Sequence, residues 1–266
     1  MKSSMFDPFG DLAEQGYLRN RRGDIDPRVI KAAEHNFFEA NIADALAYLA
    51  ACPELTYTDF LKVHQILFSD YYPWAGQDRS ITMPNSAVRK GEVWFSHPND
   101  ARLAVEHGLR IGAVPETMTR RFGEVMGLFA FGHPFLDGNG RTMLLVHMEL
   151  CHRAGFSINW HRVKKDDYLR ALTAEIAKPG QGVLEEYLAA FKTLQVPRER
   201  WGGCVLEIKG LDGLDDGNVI ESDINDPAIA EKYQQIAASR GYSYTALSPQ
   251  ESKAGLNRSS SGIRRK

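Results

Sequence analysis

The sequence predicts a mainly α-helical fold that carries a projecting β-hairpin and ends in a small α+β C-terminal appendage. Three observations predict it. Seven segments before residue 195 repeat apolar residues at intervals of three and four, the spacing of one helix face. One interval, Tyr71 to Pro98, breaks that spacing with strand-like pieces around turn residues. After Pro197 the composition shifts to short strand-like runs among glycines and acids.

Taken in order, residues 1–26 mix charges with glycines and read as an N-terminal extension without the apolar run of a signal peptide. From Pro27 to Ala50, the residues Val29, Ile30, Ala33, Phe37, Ala40, Ala43 and Leu46 share one helix face. A second helix runs from Thr58 to Ser69, with Phe60, Leu61, His64, Leu67 and Phe68 along its stripe. Asp100 to Ile111, Glu116 to Phe131, Arg141 to Ala154, Asp166 to Ala177 and Val183 to Leu194 read the same way. Within the exceptional interval, Arg79 to Met83 and Val93 to Ser96 read as two strands joined by a turn containing Pro, Asn and Gly. Residues 27–197 thus form the main domain, and 198–245 the appendage. In the appendage "CVLEIKGLDGLDDGNVIESD" reads as two strands around an acidic turn and Asp226 to Arg240 as a helix. Residues 246–266 read as a disordered basic tail, since the chain from Lys253 to Lys266 has five positive charges and no acid.

Composition narrows the function classes. The 266 residues are 43% hydrophobic, enough for a sizeable core. Basic and acidic residues number 32 and 34, a net charge of -2 that points to neither direct nucleic-acid binding nor an anionic membrane. No segment approaches the roughly 20 consecutive apolar residues of a membrane span. Cys52, Cys151 and Cys204 are far apart and odd in number, which argues against a disulfide framework and for a cytoplasmic protein. His147, Cys151 and His152 lie within two helical turns but make an incomplete set for zinc.

The chemistry concentrates in His133 to Arg141, "HPFLDGNGR", between two helical segments. The first N–H groups of a helix lack partners and carry partial positive charge, so the start of the second helix favours an anion. Gly138 and Gly140 keep side chains away from such a ligand, Asn139 can donate an amide, and Arg141 can add a charged fork. Asp137 beside a phosphate calls for a cation between them, and Mg²⁺ commonly binds one carboxylate together with phosphate oxygens. His133 can accept a proton near neutral pH. Phe135 is the residue to anchor the loop in the core. A Mg-nucleotide suits this set better than a bare phosphate.

"HPFLDGNGR" resembles the signature HxFx(D/E)GNGRxxR of the Fic (filamentation induced by cAMP) family, and "LFSDYYPWAGQDR" (67–79) resembles the segment leading into that family's flap hairpin. The resemblance covers about residues 8–195. It implies a Fic-type helical bundle with a β-hairpin flap, and an enzyme of the protein adenylyltransferase type that moves AMP from ATP to a Tyr, Thr or Ser hydroxyl of a target protein. It makes His133 the general base, Asp137 the Mg²⁺ ligand, and Gly138, Asn139, Gly140 and Arg141 the phosphate-holding residues. Val88 and Arg89 of the hairpin would reach the nucleotide, and Tyr168 would line the base pocket. The target would pair with the hairpin, about Arg79 to Ser96, as an added strand.

The chain departs from the signature at its second arginine, where Leu144 stands. In relatives that arginine touches the terminal phosphate and pairs with the glutamate of an inhibitory helix, whose (S/T)xxxE(G/N) motif has no match here. Control by a separate, antitoxin-like protein follows, or transfer of a different group such as UMP, CMP or phosphocholine. Relatives that phosphorylate their targets have a lysine where this chain has Gly140, which disfavours a kinase. A non-catalytic nucleotide-sensing protein is the alternative from another class. Both toxin-like and secreted effector relatives exist, and the tail does not separate them.

Overall fold

The computed structural model describes residues 18–208, 211, 219–221 and 223–240; strand 219–221 is described by its backbone alone. The chain divides at Asp226 into two compact units. The first is built on helix α1 (Pro27–Ala51), α2 (Tyr57–Phe68), α4 (Ala101–Gly112), α5 (Pro115–Gly132) and α6 (Asn139–Arg153), with a short α3 (Arg79–Thr82) before the hairpin. α7 (Lys165–Ala177), α8 (Val183–Ala189) and α9 (Trp201–Leu206) follow. The second unit contributes α10 (Pro227–Arg240). Among the described residues no helix is long and apolar enough to cross a membrane.

Local signals account for the helix starts. Asp26 accepts a hydrogen bond from the Arg28 N–H, and Pro27 occupies the first turn of α1, where its missing donor costs nothing. Thr56 and Asp59 form a reciprocal capping box at α2. α5 and α6 lie at the centre: α4, α7 and α8 pack on α5, while α1 and α2 pack on α6. The core contains Phe38, Phe60, Leu67, Val125, Phe129, Phe135 and Leu145, all at most 1% exposed. A Cβ on Gly132 would lie 2.9 Å from Val105 Cγ2, so this glycine is required by the approach of α4 rather than by the helix end. The left-handed residue that ends α5 is His133.

The buried face of α1 also differs from the expected one. Ile30, Ala33 and Leu46 are buried as expected, but Val29, Ala40 and Ala43 are exposed, and the core side also carries Glu34, Phe38, Ile42, Ala45 and Leu49. That stripe is continuous at helical spacing once Glu34 is counted as an interior residue. A glutamate is almost never buried without a partner, so periodicity of apolar residues alone finds only part of this face.

Two small sheets complete the first unit. β1 (Ala87–Lys90) and β2 (Val93–Trp94) form an antiparallel hairpin, with Arg89 opposite Trp94. β5 (Val219–Glu221) pairs antiparallel with the other side of β1, giving the order β2-β1-β5. β3 (Phe156–Ile158) pairs antiparallel with β4 (Lys192–Leu194).

Three expected elements take other forms. Arg79 to Met83 is not a strand: the Asp78 carboxylate accepts the Ser80 N–H and caps α3 instead. The helix expected to reach Leu194 stops at Ala189, because Lys192 to Leu194 pairs with β3 and the Lys192 ammonium lies 4.1 Å from the Phe156 ring centroid. "CVLE" is not a strand. Trp201 and Val205, one helical turn apart and both buried, anchor it as α9. Val219–Glu221 is a strand as expected; the acidic turn (212–218) and the tail from 241 lie outside the described residues.

Candidate active site

The loop from His133 to Gly138 joins the C-terminus of α5 to the N-terminus of α6, and nearly every backbone turn in it has a side-chain partner. Asn139 folds back across it: its Oδ1 accepts the Phe135 N–H at 2.9 Å, and its Nδ2 donates to the Phe135 carbonyl at 2.8 Å. The amide that the sequence offers to a phosphate is thus engaged inside the loop. Phe135 is fully buried and lies flat against the His64 ring, centroids 3.7 Å apart.

His64 is a structural residue of this site that the sequence placed only on a helix stripe. Its Nδ1 accepts the Gly76 N–H at 2.9 Å, and its Nε2 donates to the Asp137 carbonyl at 3.0 Å. Burial lowers its pKa to about 3, so the ring is neutral with its proton on Nε2. Arg79, fully buried, is a second. Its Nε donates to the His133 carbonyl at 2.7 Å, and its terminal nitrogen donates to Ser96 at 2.9 Å. One guanidinium therefore ties the loop to the chain leaving the hairpin.

His133 has φ 41° and ψ 55°, the one non-glycine residue among those described with positive φ. A non-glycine residue in this conformation is uncommon and is held there by its surroundings. Its ring stacks on Phe95, centroids 3.7 Å apart and planes 10° from parallel. Phe95 follows β2, so the hairpin supplies one wall of the histidine's slot.

At the other end, Gly138 has φ 77° and is the N-cap of α6, with no side-chain cap on the first N–H groups of that helix. A Cβ there would lie 2.6 Å from Phe68, whereas one at Gly140 would meet open space. Asp137 lies at the rim with its side chain 25% exposed; one carboxylate oxygen accepts the Gly138 N–H at 2.7 Å, and the other is held by the Lys31 ammonium of α1. Arg141 lies inward, in an ion pair with Glu34 and 4.9 Å from the Phe68 ring centroid. Tyr72 donates its hydroxyl to the same Glu34. Leu144, one turn on, is buried.

The structure therefore brings His133, Asp137, Gly138, Gly140 and Arg141 to one loop and helix start. The residues read from the hairpin and from α7 have their own local roles. Val88 is buried in β1, and Arg89 donates to the Gly91 carbonyl in the hairpin turn. Tyr168 packs edge-on against Trp160. Lys31 and Glu34 were missed by the sequence reading, although their spacing with Ile30 and Phe38 is a signal of a face that looks inward.

Residues 54–151 match the Fic/DOC family. Over this stretch the chain is similar to Fic/DOC domains. The protein adenylyltransferase VbhT of Bartonella schoenbuchensis is 29% identical over 174 residues, covering 62% of this chain but only 35% of VbhT. The probable protein adenylyltransferase y4lH of Sinorhizobium fredii is 27% identical over 164 residues, covering 58% of this chain and 81% of that protein. The chain thus spans about a third of VbhT and most of y4lH. Among solved structures, BepC of Bartonella tribocorum with bound AMPPNP superposes with a TM-score of 0.55 at 19% identity, over 69% of this chain and 99% of that one. The N-terminal Fic domain of an effector protein from Bartonella quintana with bound ADP gives the same TM-score and identity, over 73% and 95%. At that identity the matched residues share their fold.

Proposed function

We propose that this Fic-like domain transfers the AMP part of ATP to a hydroxyl of a target protein. The observation that carries the reading is the pairing of two left-handed residues across one loop. His133 carries an imidazole at one end, and at the other Gly138 starts α6 with no side chain capping its first N–H groups. An anion fits the second, and a proton acceptor beside it fits the first. The names of the relatives and the AMPPNP and ADP in two fold neighbours support a nucleotide as the anion.

In this reaction the target hydroxyl attacks the α-phosphorus, His133 takes its proton, the new O–P bond forms and the bond to pyrophosphate breaks in line. The protein contributes position and charge rather than covalent chemistry. Phe95 holds the imidazole flat, and the α6 N-terminus offsets phosphate charge, while Arg141 is held inward by Glu34. Asp137, a hard oxygen donor at the rim, suits Mg²⁺ binding through one carboxylate and phosphate oxygens, and that ion would supply further charge neutralisation. The target's entry side is the hairpin. β1 is already paired on both edges, so an added strand would align along β2.

The test is incubation of the protein, or its His133→Ala variant, with a lysate and α-labelled ATP. The expected result is label on a protein, a mass gain of one AMP, and loss of both with the variant. Labelling that persists without His133 removes it as the base. A different mass gain assigns another transferred group, and nucleotide binding with no modified protein makes the domain a sensor.

A further inference from the structure

We propose that Lys31 is a phosphate-binding residue of the cradle, supplying from α1 the positive charge that Leu144 does not supply from α6. The inference rests on the nucleotide reading of the site. Three observations carry it.

The first is electrostatic. Arg141 is 6% exposed and paired with a glutamate that is fully buried, so most of its charge is already balanced inside the protein. One turn further along α6, Leu144 presents only hydrocarbon. Asp137 adds a negative charge at the rim, which by itself repels a polyphosphate. Lys31 reverses that local balance: its ammonium sits on the Asp137 carboxylate, with the side chain 21% exposed.

The second is positional. Lys31 and Glu34 lie three residues apart on one face of α1, 3.7 Å between Nζ and Oε2. Glu34 is fixed by Arg141 and by the Tyr72 hydroxyl. The root of the lysine is therefore held in register with the start of α6, so the charge is delivered by a rigid helix and not by a wandering surface side chain.

The third is valence. An ammonium has three N–H donors. The Asp137 carboxylate takes one, while Glu34, at 3.7 Å, is an ion-pair neighbour beyond hydrogen-bond distance. A further donor is available to an oxygen of a ligand resting over Gly138 and Gly140. Lysine is suited to this as a compact point charge on a stem that can follow a phosphate when Mg²⁺ takes its place on Asp137. A lysine that served only to pin α1 to the loop would do nothing to a phosphate.

The experiment measures affinity for ADP and for adenosine by calorimetry, with excess Mg²⁺ and with chelator, for the full chain and for Lys31→Met, Lys31→Gln and Lys31→Arg, after thermal melting has shown which variants fold. The Met and Gln variants should bind ADP roughly 10- to 100-fold more weakly, the range of one charge-assisted hydrogen bond. The deficit should be larger with chelator, where Asp137 is left unscreened, while adenosine binding is unchanged and Lys31→Arg stays near wild type. Equal ADP affinity in all four proteins overturns the role of Lys31 and leaves the nucleotide reading standing, as does a parallel loss of ADP and adenosine. Wild-type protein that binds no ADP overturns both.

Discussion

Glu34 on α1 and Arg141 on α6 form an ion pair whose side chains are 0% and 6% exposed. The two residues are far apart in sequence, and the pair fastens the first long helix to the start of α6. Removing one partner of such a pair leaves a buried charge without compensation, which typically costs about 3–5 kcal/mol. Glu34→Ala and Arg141→Met should each lower stability by that order in chemical denaturation. Glu34→Leu combined with Arg141→Met should recover much of the loss. Additive losses in the double variant would show that the two charges do not act on each other.

The two glycines at the start of α6 should respond oppositely to one methyl group. At Gly138 an added Cβ meets Phe68 at 2.6 Å in a left-handed backbone, so Gly138→Ala should cost about 1–3 kcal/mol of stability. At Gly140 there is open space, and stability should stay within about 1 kcal/mol of wild type. If the α6 N–H groups cradle a phosphate, that harmless methyl should still weaken ADP binding. Melting temperature and calorimetry on the pair of variants separate the two effects, and unchanged ADP binding by Gly140→Ala would place the phosphate elsewhere.

How much of this was legible in the sequence depends on where the information lies. Helices with an apolar stripe, such as α2 with Phe60 and Leu67, were readable to within a residue or two because that signal is local. The loop was readable because its glycines, acid and histidine are contiguous. Arg79 was read as part of a strand, and its work is tertiary: a buried guanidinium on carbonyls more than fifty residues away, visible only when the chain is folded. Glu34 misled the reading of α1 for the reverse reason. A residue type that normally marks the wet face is buried here, and its partner is a hundred residues downstream. β4 was lost to a helix because its three residues become a strand through pairing with β3, not through any run of their own.

Phe95 should matter to turnover more than to binding. Its ring is the surface on which the His133 imidazole lies, 3.7 Å between centroids. With Phe95→Ala the imidazole keeps its chemistry but loses its orientation, and misplacing a reacting group commonly costs one to two orders of magnitude in rate. The expected result is kcat down roughly 10- to 100-fold with ADP affinity unchanged. Phe95→Tyr should retain most of the rate. Loss of ADP affinity together with kcat would mean that Phe95 supports the cradle as a whole.

Stability should fall as the solution is acidified from pH 6.5, and His147 should account for part of the fall. The ring is fully buried; Nε2 donates to the Phe122 carbonyl at 2.8 Å, and the Cys151 thiol, whose pKa burial pushes up, lies 3.5 Å from Nδ1. Burial lowers the His147 pKa from 6.5 to about 4. The unfolded chain therefore binds a proton at higher pH than the folded one, so stability is full above pH 6.5 and is lost as pH falls toward 4, below which both states are protonated. The shift corresponds to about 3 kcal/mol across that window. His64 and His97, whose pKa values burial lowers to about 3 and about 4, add to the same slope. Denaturant unfolding at pH 7.5, 5.5 and 4.5 should show the decline, and His147→Gln should be less stable at pH 7.5 yet lose less on acidification. An acid slope as steep in the variant as in wild type would show that His147 is not neutral and buried in the folded protein.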